Sequence, residues 1–136
     1  MTAEDIIKAV AENIYFSYGS EIPIYSDSIK QGFICPCFFI EERETEISKW
    51  LGDRYYKRWN VTVSYYFGEE DKTEPVNFFE NLEFITADGQ VLRGTGASIR
   101  SDNERVRLNI AYGAFFIREK TEAPYMAALI EKGKGM

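Results

Sequence analysis

The first eighteen residues carry apolar side chains at helical spacing. Thr2, followed by Asp5 three positions later, is a capping box in its Asp form. The apolar stripe consists of Ile6, Ile7, Val10, Ala11, Ile14 and Tyr18. Gly19 suits the left-handed position that ends many helices. This pattern predicts an amphipathic helix at about residues 3–18.

Extended segments follow the helix. The stretch "EIPIYSDS" contains Pro23, which favours an edge strand or the first residues of a strand. A second strand is predicted over residues 33–46, and residues 50–53 ("WLGD") indicate a turn.

The longest alternation in the chain begins at Tyr55 and lasts a dozen residues. One face carries Tyr55, Lys57, Trp59, Val61, Val63, Tyr65 and Phe67, whereas the other carries Tyr56, Arg58, Asn60, Thr62, Ser64 and Tyr66. A period of two sustained this long is typical of a strand with one buried face. We expect the face with Trp59 and Val63 to be the buried one.

The remaining pattern predicts a helix, a hairpin and a last helix. Pro75 opens the second helix, Asp88-Gly89 ends it, and its stripe is Phe78, Phe79, Leu82 and Ile85. Residues 91–100 and 104–118 flank the hairpin signal "SDN", and the second arm alternates through Val106, Leu108, Ile110, Tyr112, Ala114 and Phe116. Pro124 opens the last helix, with Tyr125, Met126, Leu129 and Ile130, and Gly133 ends it.

The order of these elements predicts an α+β fold. It is α-β-β-β-α-β-β-α, with an antiparallel or mixed sheet and helices packed on one face. We find no internal repeat, low-complexity segment or linker, so a single domain over residues 1–136 is expected.

The net charge of the chain limits the kinds of partner that it is expected to bind. Sixteen basic against twenty-two acidic residues give a net charge of -6, with no basic block, so sequence-specific nucleic-acid binding is not expected. The N-terminal "MTAEDIIKAV" lacks the basic segment of a signal peptide, and no apolar run is long enough to span a bilayer. These features predict a cytoplasmic protein with no membrane partner.

The two cysteines lie one residue apart in "CPCFFIEE". A structural zinc site needs about four ligands, and this chain has no histidine and no second cysteine pair. The spacing also differs from the C-x-x-C of redox motifs. Cys35 and Cys37 are therefore better explained as free thiols at the entry of a strand than as a metal or redox pair.

Catalytic candidates are weak. Without histidine the commonest general base is missing. The acids from Glu41 to Glu46 and from Glu69 to Glu74 are charge runs that usually face solvent, and they would need to converge to hold a cation. "GTGAS", from Gly94 to Ser98, lacks the Lys-Ser/Thr of a P-loop and predicts a bulge. We assign no catalytic, cofactor-binding or metal-binding residue and expect no cofactor.

Four stretches together resemble a known family. They are "IYSDSIKQGFICPCFFI", "GDRYYKRWNVTVSYYF", "VNFFENLEFI" and "LRGTGASIRSDNERVRLNIAYGAFFIRE". The chain resembles the tail terminator (tail completion) proteins of prophages and phage-tail-like particles of Gram-positive bacteria, from the first helix to about Tyr125. The most specific parts are the strand pair "PCFFI" and "GDRYYKRWNVTVSYYF", and the "GTG" hairpin adds to them.

The resemblance implies a structural role. Such subunits form a ring, commonly hexameric, on the head-proximal end of the tail tube, where they stop tube and sheath polymerisation and offer a surface to the neck or head. The implied partners are further copies of the chain, the tube protein, the sheath protein of a contractile tail, and a neck or head connector where a capsid exists. The implied location is the host cytoplasm during assembly and then the virion or particle.

Two other readings remain open at this point. One is a head–tail connector or neck protein, and the other is a small metal-dependent enzyme that uses the acids from Glu41 to Glu46. For ring contacts, we expect the "GEEDKTE" loop, the hairpin of residues 91–118 and the segment after Pro124, because the first helix and core strands are occupied internally.

Overall fold

The computed structural model describes residues 1–26, 34–68 and 72–118. Helix α1 spans Ala3–Tyr18, as predicted. The Asp5 carboxylate accepts the Thr2 N–H at 2.8 Å, and the Thr2 hydroxyl accepts the Asp5 N–H at 3.3 Å, which confirms the capping box. The Thr2 backbone N–H is also the main cause that lowers the pKa of the Asp5 carboxyl.

The described residues form a six-stranded sheet with the spatial order β1-β2-β3-β6-β5-β4. The strands are β1 Ile24–Tyr25, β2 Cys37–Lys49, β3 Arg54–Tyr66, β4 Phe84–Ala87, β5 Gln90–Ser101 and β6 Arg105–Ile117, and helix α2 is Phe78–Leu82. β1 is parallel to β2, and every other neighbouring pair is antiparallel. This mixed sheet with its helices confirms the α+β class.

Both helices pack against one face of the sheet. The core side chains of α1 are Ile6, Ala9, Val10 and Ile14, and they meet Phe38, Ile40, Trp59, Val61 and Val63 from the strands. The Asn13 side chain donates to the carbonyls of Asn81 (3.0 Å) and Phe84 (2.8 Å), which joins α1 to the start of β4. The buried Tyr112 hydroxyl donates to the Leu82 carbonyl at 2.5 Å and holds α2 on the sheet.

The second helix was predicted too long. It ends at Leu82, and Ile85 lies in β4, which pairs with β5. Asp88 and Gly89 have φ values of 50° and 76°, so both occupy the left-handed region. Asp-Gly with two positive φ angles is the preferred two-residue turn of a β-hairpin. The pair that was expected to end a helix therefore joins two strands.

The expectation of only one buried face on β3 is wrong at its centre. Trp59, Val61 and Val63 are buried as predicted, but Thr62 and Ser64 on the opposite face are buried as well. β3 lies between β2 and β6, and its short polar side chains sit between longer neighbours such as Glu41 and Asn109. A short side chain on a central strand is shielded by longer side chains on the two flanking strands.

The other strand predictions are close to the structure. β2 begins at Cys37 and continues to Lys49, three residues beyond its expected end at residue 46. The hairpin of β5 and β6 lies within one residue of its expected bounds, and the alternating positions Val106, Leu108, Ile110 and Tyr112 are buried. The predicted last helix, from Pro124, lies outside the described residues.

Candidate functional site

The cysteine pair is the first candidate site, and its two thiols have different surroundings. Cys37 opens β2 and is fully buried, whereas Cys35 is exposed, and both are free thiols. Burial, with a smaller effect of the neighbouring Cys35, raises the pKa of the Cys37 thiol to about 12. Because the thiolate is the nucleophile and metal ligand, a neutral Cys37 serves as a packing residue. The prediction of a strand entry is confirmed.

The acidic run lies along the exposed part of β2. Glu41, Glu42, Glu44 and Glu46 are exposed there, whereas Glu74 is exposed in the loop before α2. Glu69 and Glu70 lie outside the described residues. Within the described ranges, no three Cys, Asp or Glu side chains come close enough to hold a metal ion.

The glycine-rich stretch is a bulge, as predicted. The pairing of β5 with β6 shifts between Thr95 and Ser98, and Gly96 has a φ of 61°. A Cβ at Gly96 would lie 3.0 Å from Arg58 Nη2, so glycine leaves room for that guanidinium. The bulge therefore shapes the sheet surface next to Arg58.

An open depression of about 470 Å³ lies on the sheet face that α1 does not cover. The Asn60 side chain there donates to the Glu44 carbonyl at 3.1 Å and to Glu46 Oε2 at 3.0 Å. Thr62 donates to Asn109 Oδ1 at 2.6 Å. Within the described part of the chain, the buried Arg58 Nε has no hydrogen-bond partner. The depression holds mutually bonded polar groups without a paired nucleophile and base.

Two long stretches of strand have an open edge in the part of the chain that the structure describes. Residues 41–49, which we call the β2 edge, pair with β3 on one side and with no other strand of the described chain on the other. Residues 95–101, the β5 edge, pair only with β6 within the same ranges. Every side chain of the β5 edge is exposed, and so is every side chain of the β2 edge except Thr45, which is half-buried. An open edge presents unpaired backbone donors and acceptors to another chain.

A cluster of exposed apolar side chains, which we call the tip, lies where the β2–β3 turn meets the end of β6. Its members and their exposed fractions are Trp50 54%, Leu51 88%, Phe115 46% and Ile117 75%. The Trp50 and Phe115 rings meet edge to face at 5.1 Å. Clustered exposed apolar side chains are typical of protein contact surfaces.

Comparison with protein families decides which kind of protein carries these surfaces. A family model described as phage tail terminator protein matches residues 5–124 of the chain. The chain belongs to the phage tail terminator family. Terminator proteins are structural components of the virion that interact with other tail proteins, and the resemblance found in the sequence is confirmed.

Other comparisons add little to the terminator assignment. No curated protein matches the chain. One solved structure is similar over 90% of this chain and 100% of its own chain, at 14% identity and with a TM-score of 0.34. A likeness of that size carries no argument. None of the helices in the described ranges is long and apolar enough to cross a membrane.

The sequence predicts the strand that contains most of the β2 edge, but it does not predict that this edge stays open. The acids from Glu41 to Glu46 face solvent, as predicted, and they lie within a strand of thirteen residues that continues beyond them to Lys49. The usable signal was the length of β3, which also has thirteen residues and needs a partner strand of equal length. Which edges stay open depends on strand order, and the sequence pattern does not contain that order.

Proposed function

We propose that this chain is the subunit of a hexameric ring that caps the head-proximal end of a phage tail tube. In this role it stops polymerisation of the tube, and of the sheath in a contractile tail, and it offers the joining surface for the neck or head. The observation that carries the proposal is the family match over residues 5–124.

The surfaces of the subunit support an assembly role. The tip offers apolar side chains to a partner, and the β2 and β5 edges offer unpaired backbone groups. The raised pKa keeps the buried Cys37 thiol neutral, which fits a packing role. We propose that the chain works as one domain over residues 1–136, with no catalytic, cofactor-binding or metal-binding residue. It assembles in the host cytoplasm and remains in the virion or tail-like particle.

The partners follow from the position of the cap. They are further copies of the chain, the tube protein, the sheath protein of a contractile tail, and a neck or head connector where a capsid exists. We expect the free subunit to be monomeric and the ring to close on a finished tube, because a template raises the effective concentration of neighbouring subunits.

Deletion of the gene from the phage or prophage that encodes it tests the proposal. We expect tails of uncontrolled length or with unfinished ends in electron micrographs, while tube and sheath subunits remain abundant. Supplying the gene from a plasmid should restore uniform length. Normal-length, capped tails after deletion contradict the proposal, and capped tails that merely fail to join heads assign the chain to the neck instead.

A further inference from the structure

Among the described residues, the β2 edge and the β5 edge are open and differ in charge: the β2 edge has four glutamates against Arg43 and Lys49, whereas the only charged residue of the β5 edge is Arg100. We propose that the β2 edge of one subunit pairs with the β5 edge of the next, so that the sheet continues around the assembly. The occupant of each edge is thus a second copy of this chain. The inference rests on the proposed ring and names the contact that closes it.

The backbone of the β2 edge is oriented for such pairing. Phe38 donates its N–H to the Pro23 carbonyl at 2.9 Å, on the side of β2 that faces away from β3. Peptide groups alternate along a strand, so those of Glu42 point to the same side. Glu42, Thr45 and Ile47 pair with Val61, Trp59 and Lys57, which lie on one face of β3. Thr45 and Ile47 therefore keep this orientation beyond the bulge.

The backbone of the β5 edge is oriented in the same way. Gly94 donates its N–H to the Glu83 carbonyl at 2.6 Å, away from β6. Gly94 and Ile99 pair with Tyr112 and Leu108, which are on one face of β6. The peptide groups of Ile99 therefore also point outward, beyond the end of β4.

Strand direction permits the contact in a ring. Every neighbouring pair from β2 through β3 and β6 to β5 is antiparallel, so β2 and β5 run in opposite directions. Rotation about an axis along the strands preserves direction, and a neighbour's β5 would then run antiparallel to β2. The contact joins two different patches, which is the heterologous type that closes rings.

Charge selects this pairing over its alternatives. The sheet face that α1 does not cover, which we call the outer face, carries three glutamates of β2. They are Glu41, Glu44 and Glu46, which pair with Thr62, Asn60 and Arg58. On the same face, the β5 edge carries Arg100, which pairs directly with Arg107 of β6. Two β2 edges would bring glutamates together and two β5 edges would bring arginines together, whereas β2 against β5 brings opposite charges together.

Each edge also contains one irregularity, between Glu42 and Glu44 in β2 and between Thr95 and Ser98 in β5. Bulges at an edge twist it and limit the length of a continuous ladder. The contact is then weak for two free subunits, in agreement with a ring that closes only on a tube.

Charge reversal in the deletion strain tests the contact. We expect Glu41→Lys/Glu44→Lys alone, and Arg100→Glu/Arg107→Glu alone, to lose the ability to restore tail length. Co-expression of the two should restore it, because alternating subunits then present opposite charges at every contact. The control Glu12→Lys/Glu80→Lys reverses the same number of charges, at exposed positions of the two helices, and should restore tail length by itself.

The pairing is wrong if either edge variant alone restores tail length. It is also wrong if the mixture fails to restore tail length although circular dichroism shows that both proteins are folded. If the deletion strain makes tails of normal length without any copy of this gene, the proposed function is wrong instead, so the two failures are distinguishable.

Disulfide trapping tests the same contact without charge changes. In a Cys35→Ser background, Ile99→Cys is combined in turn with Glu42→Cys, Thr45→Cys and Ile47→Cys, and purified tails are oxidised. Antiparallel neighbours have Cβ atoms about 4.5–5.5 Å apart, close to disulfide geometry. We expect one combination to give a ladder of covalent multimers beyond the dimer on a denaturing gel. Dimers from a single-cysteine variant, or no multimers from any combination, contradict the proposal.

Discussion

The two halves of β2 have the same backbone conformation and opposite surroundings. Residues 37–40 include Cys37, Phe38 and Ile40, which are fully buried against α1 and the neighbouring strands. Residues 41–49 are almost entirely exposed. The first half also has β1 along its edge, whereas the second half has an open edge.

The comparison shows that one strand can serve both stability and assembly. Burying an apolar side chain of this size contributes about 1.5–3 kcal/mol, so the first half contributes to the core. The end of the sheet that holds the exposed half of β2 depends on cross-strand contacts such as Tyr55 stacked on Phe116 at 5.5 Å and Lys57 over the Phe116 ring at 5.9 Å. Such contacts contribute about 0.5–1.5 kcal/mol each.

The largest expected difference comes from one substitution at two positions of β2. Ile40→Asp places an unpaired charge in the core, where Ile40 is fully buried, and should prevent folding. Ile47→Asp, on the same strand with 64% of the side chain exposed, should fold normally. Soluble yield and circular dichroism measure the difference. Equal damage from both variants would mean that the outer half is as closely packed as the core half.

Val63→Asp extends this test to β3 and should also prevent folding, because Val63 is fully buried. Thr62→Asp is expected to be damaging too. Thr62 is only 3% exposed, and a carboxylate there would face Asn109 Oδ1, which now accepts the Thr62 hydroxyl. A wild-type melting temperature for Thr62→Asp would show that the outer face opens to water.

Hydrogen exchange should separate the two halves without any mutation. Core amides exchange only on global unfolding, whereas open-edge amides exchange by local fluctuation. In the free subunit we expect the outward N–H groups of Thr45 and Ile47 to exchange about 100-fold faster or more than the Phe38 N–H, which is bonded to Pro23. Similar rates along the whole of β2 would contradict an open edge.

A smaller effect is expected from Tyr112→Phe. The buried Tyr112 hydroxyl donates to the Leu82 carbonyl, and its removal leaves that carbonyl unsatisfied, at about 1–3 kcal/mol of unfolding free energy. Tyr15→Phe is the matched control, because 52% of Tyr15 is exposed on α1. Denaturant titration measures both. A loss below that of Tyr15→Phe would mean that α2 is held to the sheet by its apolar contacts alone.

The smallest effect concerns the cysteines. Cys37→Ala should lower the unfolding free energy by about 1 kcal/mol, Cys35→Ala should leave it unchanged, and neither should affect assembly. The pKa of the Cys37 thiol is raised from 9.0 to about 12 in the folded protein, so the unfolded chain loses this proton at a lower pH than the folded protein does. The free energy of unfolding therefore decreases as the pH rises from 9 towards 12. At neutral pH a thiol reagent should label Cys35 and spare Cys37. Equal labelling, or zinc bound in equimolar amount, would contradict a packing role.

Several elements could be predicted because their signals are local. The capping box at Thr2 and Asp5, the stripe of α1 and the alternation of β6 each depend on residues within a few positions of one another. Asp88-Gly89 shows the limit of local signals, since the same pair fits the end of a helix and the turn of a hairpin. The choice depended on β5 being available to pair with residues 84–87.

The sequence by itself determined the class of fold, the apolar faces of α1, β3 and β6, and the family, because these depend on periodicity and on patterns spread over most of the chain. Tertiary structure alone decided that Thr62 is buried, that the acids of β2 lie on an open edge, and that arginines lie beside the opposite edge. These features depend on which strands become neighbours. Strand order is set by packing of the whole sheet against α1 and α2, and no local stretch of residues encodes it.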